Sequence, residues 1–253
     1  MPILEHLDEI RRRLIIVFAT LAPVAIVLYF FSPQMIEFLI APVKHLLPGT
    51  GQLTAFDPLT PFAVRFRVAA YGALIVTSPV IIWQFLAFFM PALKPRERKW
   101  VFPTLIAAIF LFLLGNVFCY TIVLTTGFEW MLGQASGVMQ VIPSVDSFIK
   151  SITLFLLGFG IAFEIPLVVF YLVTFDIVSY KTLRAQWRWV YIVLMVLSAV
   201  ATPDASPVNM LIMAAALASL YEISLALSYV VSGRRREYLS KIEFEDDDDH
   251  DDW

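Results

Sequence analysis

Four glutamates stand where a carboxylate is costly or out of company, and through them this chain could do chemistry. Glu9, with Asp8 beside it, precedes three consecutive arginines in "HLDEIRRRL" (His6 to Leu14), at the threshold of the charge-free run Leu14 to Phe31. Glu97 is the only acid among four basic residues in "PALKPRERKW" (Pro91 to Trp100). Glu164 is the only charged residue between Lys150 and Asp176, and Glu222 lies in a further apolar run. A carboxylate accepts the planar fork of a guanidinium through both oxygens, a geometry that an ammonium does not reproduce. Glu9 and Glu97 therefore read as parts of a receptor for a cationic guest. The plainer reading of the first site is a helix salt bridge. Asp8 with Arg12 and Glu9 with Arg13 are spaced i, i+4, and such pairs contribute only about 0.2–0.5 kcal/mol. An ionised group in mid-membrane costs about 2.5–3.5 kcal/mol on insertion scales. Glu164 is then either a functional group facing protein or water, or a hydrogen-bonded brace. Glu222, nearer the end of its run, has a helix-packing hydrogen bond as its plain alternative.

Other chemistries fail on residue types. His6, His45 and His250 are scattered along the chain, and Cys119 is the only cysteine. No Cys/His cluster is spaced to hold zinc, and no glycine-rich loop could cradle a phosphate. The sequence reads as a protein that is not an enzyme, with no metal, no cofactor and no nucleic-acid partner.

The elements that position these groups follow from the hydropathy pattern. Of the 253 residues 60% are hydrophobic and 15% charged, against about 25% charged in a soluble domain. Six apolar segments result: Leu14–Phe31, Val68–Met90, Val101–Thr126, Ser151–Phe175, Trp189–Thr202 and Val208–Val231. Most match the roughly 20 residues that cross a bilayer. The expected fold is all-α, a polytopic membrane protein of six transmembrane helices. With the N-terminus inside, the inner segments hold fourteen Lys and Arg and the outer ones four, Lys44, Arg65, Arg67 and Lys150. The positive-inside rule then puts both termini in the cytoplasm. The fifth segment has 14 residues, about 21 Å of helix against a hydrocarbon core of about 30 Å. Pro23, Pro79 and Pro166 fall inside segments and predict bends, hence a concave bundle. Pro103 sits in a first turn, where it costs little. "MIEFLIAPVKHLL" (Met35 to Leu47) and "FEWML" (Phe128 to Leu132) predict short helices on the outer surface, and the stretch before Leu14 an amphipathic helix on the inner one. Residues 1–236 form the membrane domain. Residues 237–253, with nine of the 21 acidic residues, are expected to be a disordered cytoplasmic tail.

In this order and on this frame the residues resemble the TatC family, the signal-peptide receptor subunit of the twin-arginine protein translocase. The resemblance rests on "HLDEIRRRL", "SPVIIWQF" (Ser78 to Phe85) leading into "FFMPALKPRERK", "FGIAFEIP" (Phe159 to Pro166), "ATPD" (Ala201 to Asp204) and "LYEIS" (Leu220 to Ser224). It implies a multi-pass protein of the prokaryotic cytoplasmic (inner) membrane. Such a protein binds twin-arginine signal peptides at its cytoplasmic face. With TatA/TatB-type single-span partners and other copies of itself in the bilayer, it exports folded proteins on the proton-motive force. By motif position, Glu9, Glu97, Arg11 and Phe88 are implied in signal-peptide binding. Glu164, Gln84 and Glu222 are implied as polar groups of the membrane interior or partner contacts, and Asp204 as the acid of an outer turn. Lys94 and Pro95 depart from the family pattern, which commonly has an aromatic residue at the first. The competing class is a secondary transporter or channel with Glu164 as proton or ion relay, for which internal repeats and a pair of broken midplane helices are missing.

Overall fold

The fold was analysed in a computed structural model that describes residues 2–47, 53–90, 98, 101–134, 144–174, 178–202 and 206–248, with side chains described from Leu7 and up to Tyr229, except at 89, 174 and 201. Ten α-helices account for almost all of it: α1 Pro2–Phe30, α2 Ser32–Ile40, α3 Thr60–Phe89, α4 Val101–Phe118, α5 Leu124–Gly133, α6 Val145–Ala162, α7 Ile165–Thr174, α8 Tyr180–Ala185, α9 Trp187–Ala201 and α10 Pro207–Asp248. Among the described residues there is no strand, only the isolated bridge Thr54–Ser144. Five runs are long and apolar enough to cross a bilayer, and a shorter one covers Trp187–Val200. The all-α, six-helix expectation holds, short fifth helix included.

Three local expectations change. The amphipathic start is not a separate surface helix: α1 is continuous from Pro2 to Phe30. No glycine or proline separates its charged turns from the apolar ones, so nothing stops the helix. "FEWML" is not an isolated helix either. A π-helical segment, Cys119–Val123, joins α4 to α5 in one run, Val101–Gly133. The fourth segment, conversely, is interrupted at Phe163 and Glu164, between α6 and α7. Pro166 lacks the N–H that would bond to Ala162 of the preceding turn.

Pro79, by contrast, sits inside an unbroken α3. Its missing N–H frees the carbonyl of Ile75, and the Ser78 hydroxyl donates to that carbonyl at 2.7 Å. Side-chain replacement of this kind keeps a proline tolerable in an apolar helix. The short helix interrupted by Pro42 forms, with α2 passing into a 3-10 turn at Ala41–Leu46. It docks through Tyr120, which stacks on Phe38 at 4.7 Å and donates to the Phe38 carbonyl at 2.7 Å.

The core lies along α6. Ile149, Ile152, Phe155 and Phe159 are almost fully buried, against Val68 of α3, Val123 and Leu124 of the third run, and Met213 and Leu217 of α10. The α4–α6 crossing is set by glycine. A Cβ at Gly160 would lie 2.6 Å from Asn116 Nδ2 and 2.7 Å from Phe112 Cε2, so only Gly admits this approach. Asn116 in turn accepts from the Tyr71 hydroxyl of α3 and donates to the Phe112 carbonyl at 2.8 Å. α1 stays peripheral and packs chiefly on α3. α10 shows no break at residue 236 and runs on as backbone helix to Asp248.

Candidate functional site

Three of the four glutamates fall on described residues, and each has a different company. Glu9 lies two turns into α1, where Arg13, one turn on, reaches back to it. Arg13 donates to Glu9 Oε1 from both Nε, at 3.2 Å, and Nη2. The same guanidinium crosses to α3. Nη2 donates to the Ala87 carbonyl at 2.8 Å, and Nη1 to the Gln84 carbonyl and side-chain Oε1, both at 3.4 Å. These carbonyls lie in the last turns of α3, at the negative end of the helix dipole, where a cation is favourable. Arg13 therefore ties the start of α1 to the end of α3 and fixes the Glu9 carboxylate between them. Glu9 Oε2 has no partner among the described residues, and the side chain is 33% exposed. One oxygen is held and the other is on offer.

Around this pair, Arg11 and Arg12 are exposed and Phe88 is half-buried near the end of α3. Gln84, expected as a polar group of the membrane interior, is brought to this end and serves Arg13. Glu97 lies outside the described residues, as does Asp204. Arg13 itself was missed as a site residue. Its i, i+4 spacing announces the Glu9 contact, while the crossing to α3 is a tertiary fact that no local pattern carries.

Glu164 occupies the interruption between α6 and α7. Its N–H donates to the Ile161 carbonyl at 3.0 Å, and its own carbonyl accepts from Leu167 and Val168 at 3.1 and 3.2 Å. The backbone is thus satisfied on both sides of the break. The side chain is not: Oε1 is buried without a hydrogen-bond partner among the described residues. An orphaned buried carboxylate oxygen is expensive, and it marks a place where a donor from outside this chain would be welcome.

Glu222 is fully employed. Arg184 Nη1 donates to Oε2 at 2.9 Å and to Oε1 at 3.2 Å, and the Tyr191 hydroxyl donates to Oε1 at 2.9 Å. This clasp joins α10 to α8 and α9, which is the helix-packing role. Among the described residues no group of three or more His, Cys, Asp or Glu is placed to hold a metal ion.

Sequence and fold comparisons converge on one family. The profile of the Sec-independent protein translocase protein (TatC) matches residues 5–215. The chain is 34% identical to the Sec-independent protein translocase protein TatC of Deinococcus radiodurans over 232 residues, 90% of this chain and 86% of that protein. To the TatC of Aquifex aeolicus it is 31% identical, over 94% of this chain and 98% of the other. A crystal structure of the twin arginine translocase receptor TatC in DDM superimposes with a TM-score of 0.74 at 30% identity, covering 88% of this chain and 99% of that one. The six-helix frame, the arginine-braced Glu9 and the interrupted fourth span thus belong to a member of the TatC family, a component of the Sec-independent protein translocase.

Proposed function

We propose that this chain is the receptor core of its translocase, binding twin-arginine signal peptides at the end of the bundle where α1 begins and α3 ends. The observation that carries this reading is the half-used carboxylate of Glu9. Arg13 holds Oε1 and anchors the pair to α3, so Oε2 is presented on a rigid support to an incoming guanidinium. Glu97 follows α3 by eight residues in sequence and would supply the second carboxylate that a pair of arginines asks for. Arg11 and Phe88 border the guest, and the outer-turn acid Asp204 serves at the far end.

In this reading both termini face the cytoplasm and the protein is multi-pass in the prokaryotic inner membrane. It assembles with TatA/TatB-type single-span proteins and with further copies of itself to export folded cargo on the proton-motive force. Glu164 offers its unpartnered oxygen within the concave face to the inserted signal or to a polar side chain of a partner. A small-solute transporter would need a relay leading to Glu164, and among the described residues none reaches its Oε1.

The test is binding of one signal peptide in paired-arginine and paired-lysine versions to the purified protein. A clear preference for arginine supports the receptor reading, and equal affinity sinks it. The orientation is checked separately. Single cysteines at 94–99 and 181–188, in a Cys119-free background, should react with impermeant reagent only from the cytoplasmic side, and those at 52–57 only from outside. Outside labelling of the 94–99 loop would overturn the topology.

A further inference from the structure

At the opposite end of the bundle from Glu9, α3 and α6 leave a groove of about 640 Å³ between them, open to the side. Its walls are apolar: Phe62, Phe66, Leu74, Leu154 and Leu157. The polar atoms it could expose are already used. The Tyr71 hydroxyl donates to Asn116, and the Thr153 hydroxyl donates to the Ile149 carbonyl at 2.8 Å. Two cations also line it, Arg67 and Lys150. Asp146 accepts from Arg67 through Nη1 alone, with Oδ1 at 2.7 Å and the main-chain carbonyl at 3.3 Å. That contact orients the guanidinium and leaves its other edge, Nε and Nη2, without a partner among the described residues. The Lys150 ammonium has none there either, and its residue is exposed.

We infer that this groove is a binding site for one anionic phospholipid of the leaflet opposite Glu9, its phosphate on Arg67 and Lys150 and its acyl chain laid between α3 and α6. Charge selects the headgroup: a fork of N–H donors beside an ammonium suits a phosphate oxyanion, and basic pockets between membrane helices take anionic lipids. Depth selects a lipid over a partner's helix. Along α3 the lining runs from Phe62 to Leu74, twelve residues or about 18 Å at 1.5 Å per residue. Along α6 it runs from Lys150 to Leu157, about 10 Å. Half of a hydrocarbon core of about 30 Å is about 15 Å. Beyond Arg67 and Lys150 the apolar lining runs about 10 Å along both helices, to Leu74 and Leu157, so the groove stays within one leaflet, whereas a spanning helix needs a track through both. Asp146 acts here as the positioning residue for Arg67, a role that its partial exposure would otherwise make energetically minor.

The experiment uses the full chain in nanodiscs of phosphatidylcholine with a minor share of phosphatidylglycerol, read by native mass spectrometry as lipid retained per chain. The parent should retain phosphatidylglycerol in preference to phosphatidylcholine. Lys150→Glu, which leaves the Arg67–Asp146 contact intact, should lower that retention about tenfold, the loss of one charge-assisted contact. Ala70→Trp, which fills the groove and keeps both cations, should lower it as well. Arg65→Gln, on an exposed residue that does not line the groove, should change nothing. Unchanged retention in Lys150→Glu overturns the site. So does a photo-crosslinker at Leu154 that captures a polypeptide instead of lipid in native membranes.

Discussion

Glu9 and Glu222 are both carboxylates carried on helices, and both are gripped by an arginine. They differ in what is left over. At Glu222, Arg184 takes both oxygens and Tyr191 adds a third bond, so the group is spent on joining α8, α9 and α10. At Glu9, Arg13 takes one oxygen and spends its remaining donors on α3 carbonyls. The first arrangement is closed and the second is open. An arginine beside a glutamate is therefore no sign of function or of structure by itself. The number of acceptor sites still unused, and the rigidity with which they are held, separates the two.

That contrast can be broken by mutation. The largest effect is expected at the open site. Charge-assisted hydrogen bonds contribute about 1.5–3 kcal/mol, so Glu9→Ala should weaken signal-peptide binding by about 10- to 150-fold, measured by calorimetry on folded protein. Glu164 comes next. Glu164→Ala should lose most transport in a reconstituted export assay, by about tenfold, while Glu164→Gln, which still offers an acceptor oxygen, keeps much of it. A silent alanine variant would return Glu164 to the role of a structural brace. The packing knot should affect folding and not binding. Tyr71→Phe leaves Asn116 Oδ1 without its donor, a loss of about 1–3 kcal/mol in unfolding free energy. The smallest effect belongs to the closed site. Arg184→Gln removes an exposed pair, costing at most about 1 kcal/mol, with peptide affinity unchanged within a factor of two or so. A large loss of binding in Arg184→Gln would erase the distinction between the two carboxylates.

Much of this frame was legible before any coordinates. Charge-free runs are a direct consequence of the bilayer as solvent, so six helices and a short fifth one could be read from composition alone. Helix joins were less legible. The π-helical segment at Cys119–Val123 leaves no local mark, because an extra residue in a turn is decided by packing, here burial of Cys119 and Val123. The break at Glu164 was announced by Pro166, yet the same residue type at Pro79 left α3 unbroken. The difference is the Ser78 hydroxyl on the freed carbonyl, a side-chain geometry that residue order does not disclose. At the candidate site, residue types name Glu9, while they put Gln84 in the membrane interior and show Arg13 only as a salt-bridge partner within α1. Their junction joins residues 71 positions apart, and single-chain periodicity is blind to it.

The central claim is that Glu9 reads arginine by geometry, not merely by charge. It is tested most directly by a double-mutant cycle across the protein and its ligand. Affinities of the paired-arginine and paired-lysine versions of one signal peptide are measured for the parent and for Glu9→Ala. The parent should prefer arginine, and Glu9→Ala should bind both versions weakly with the preference abolished, a coupling of about 1.5 kcal/mol or more. If Glu9→Ala prefers arginine as strongly as the parent does, Glu9 is only the salt-bridge partner of Arg13 and the reading carboxylate lies elsewhere.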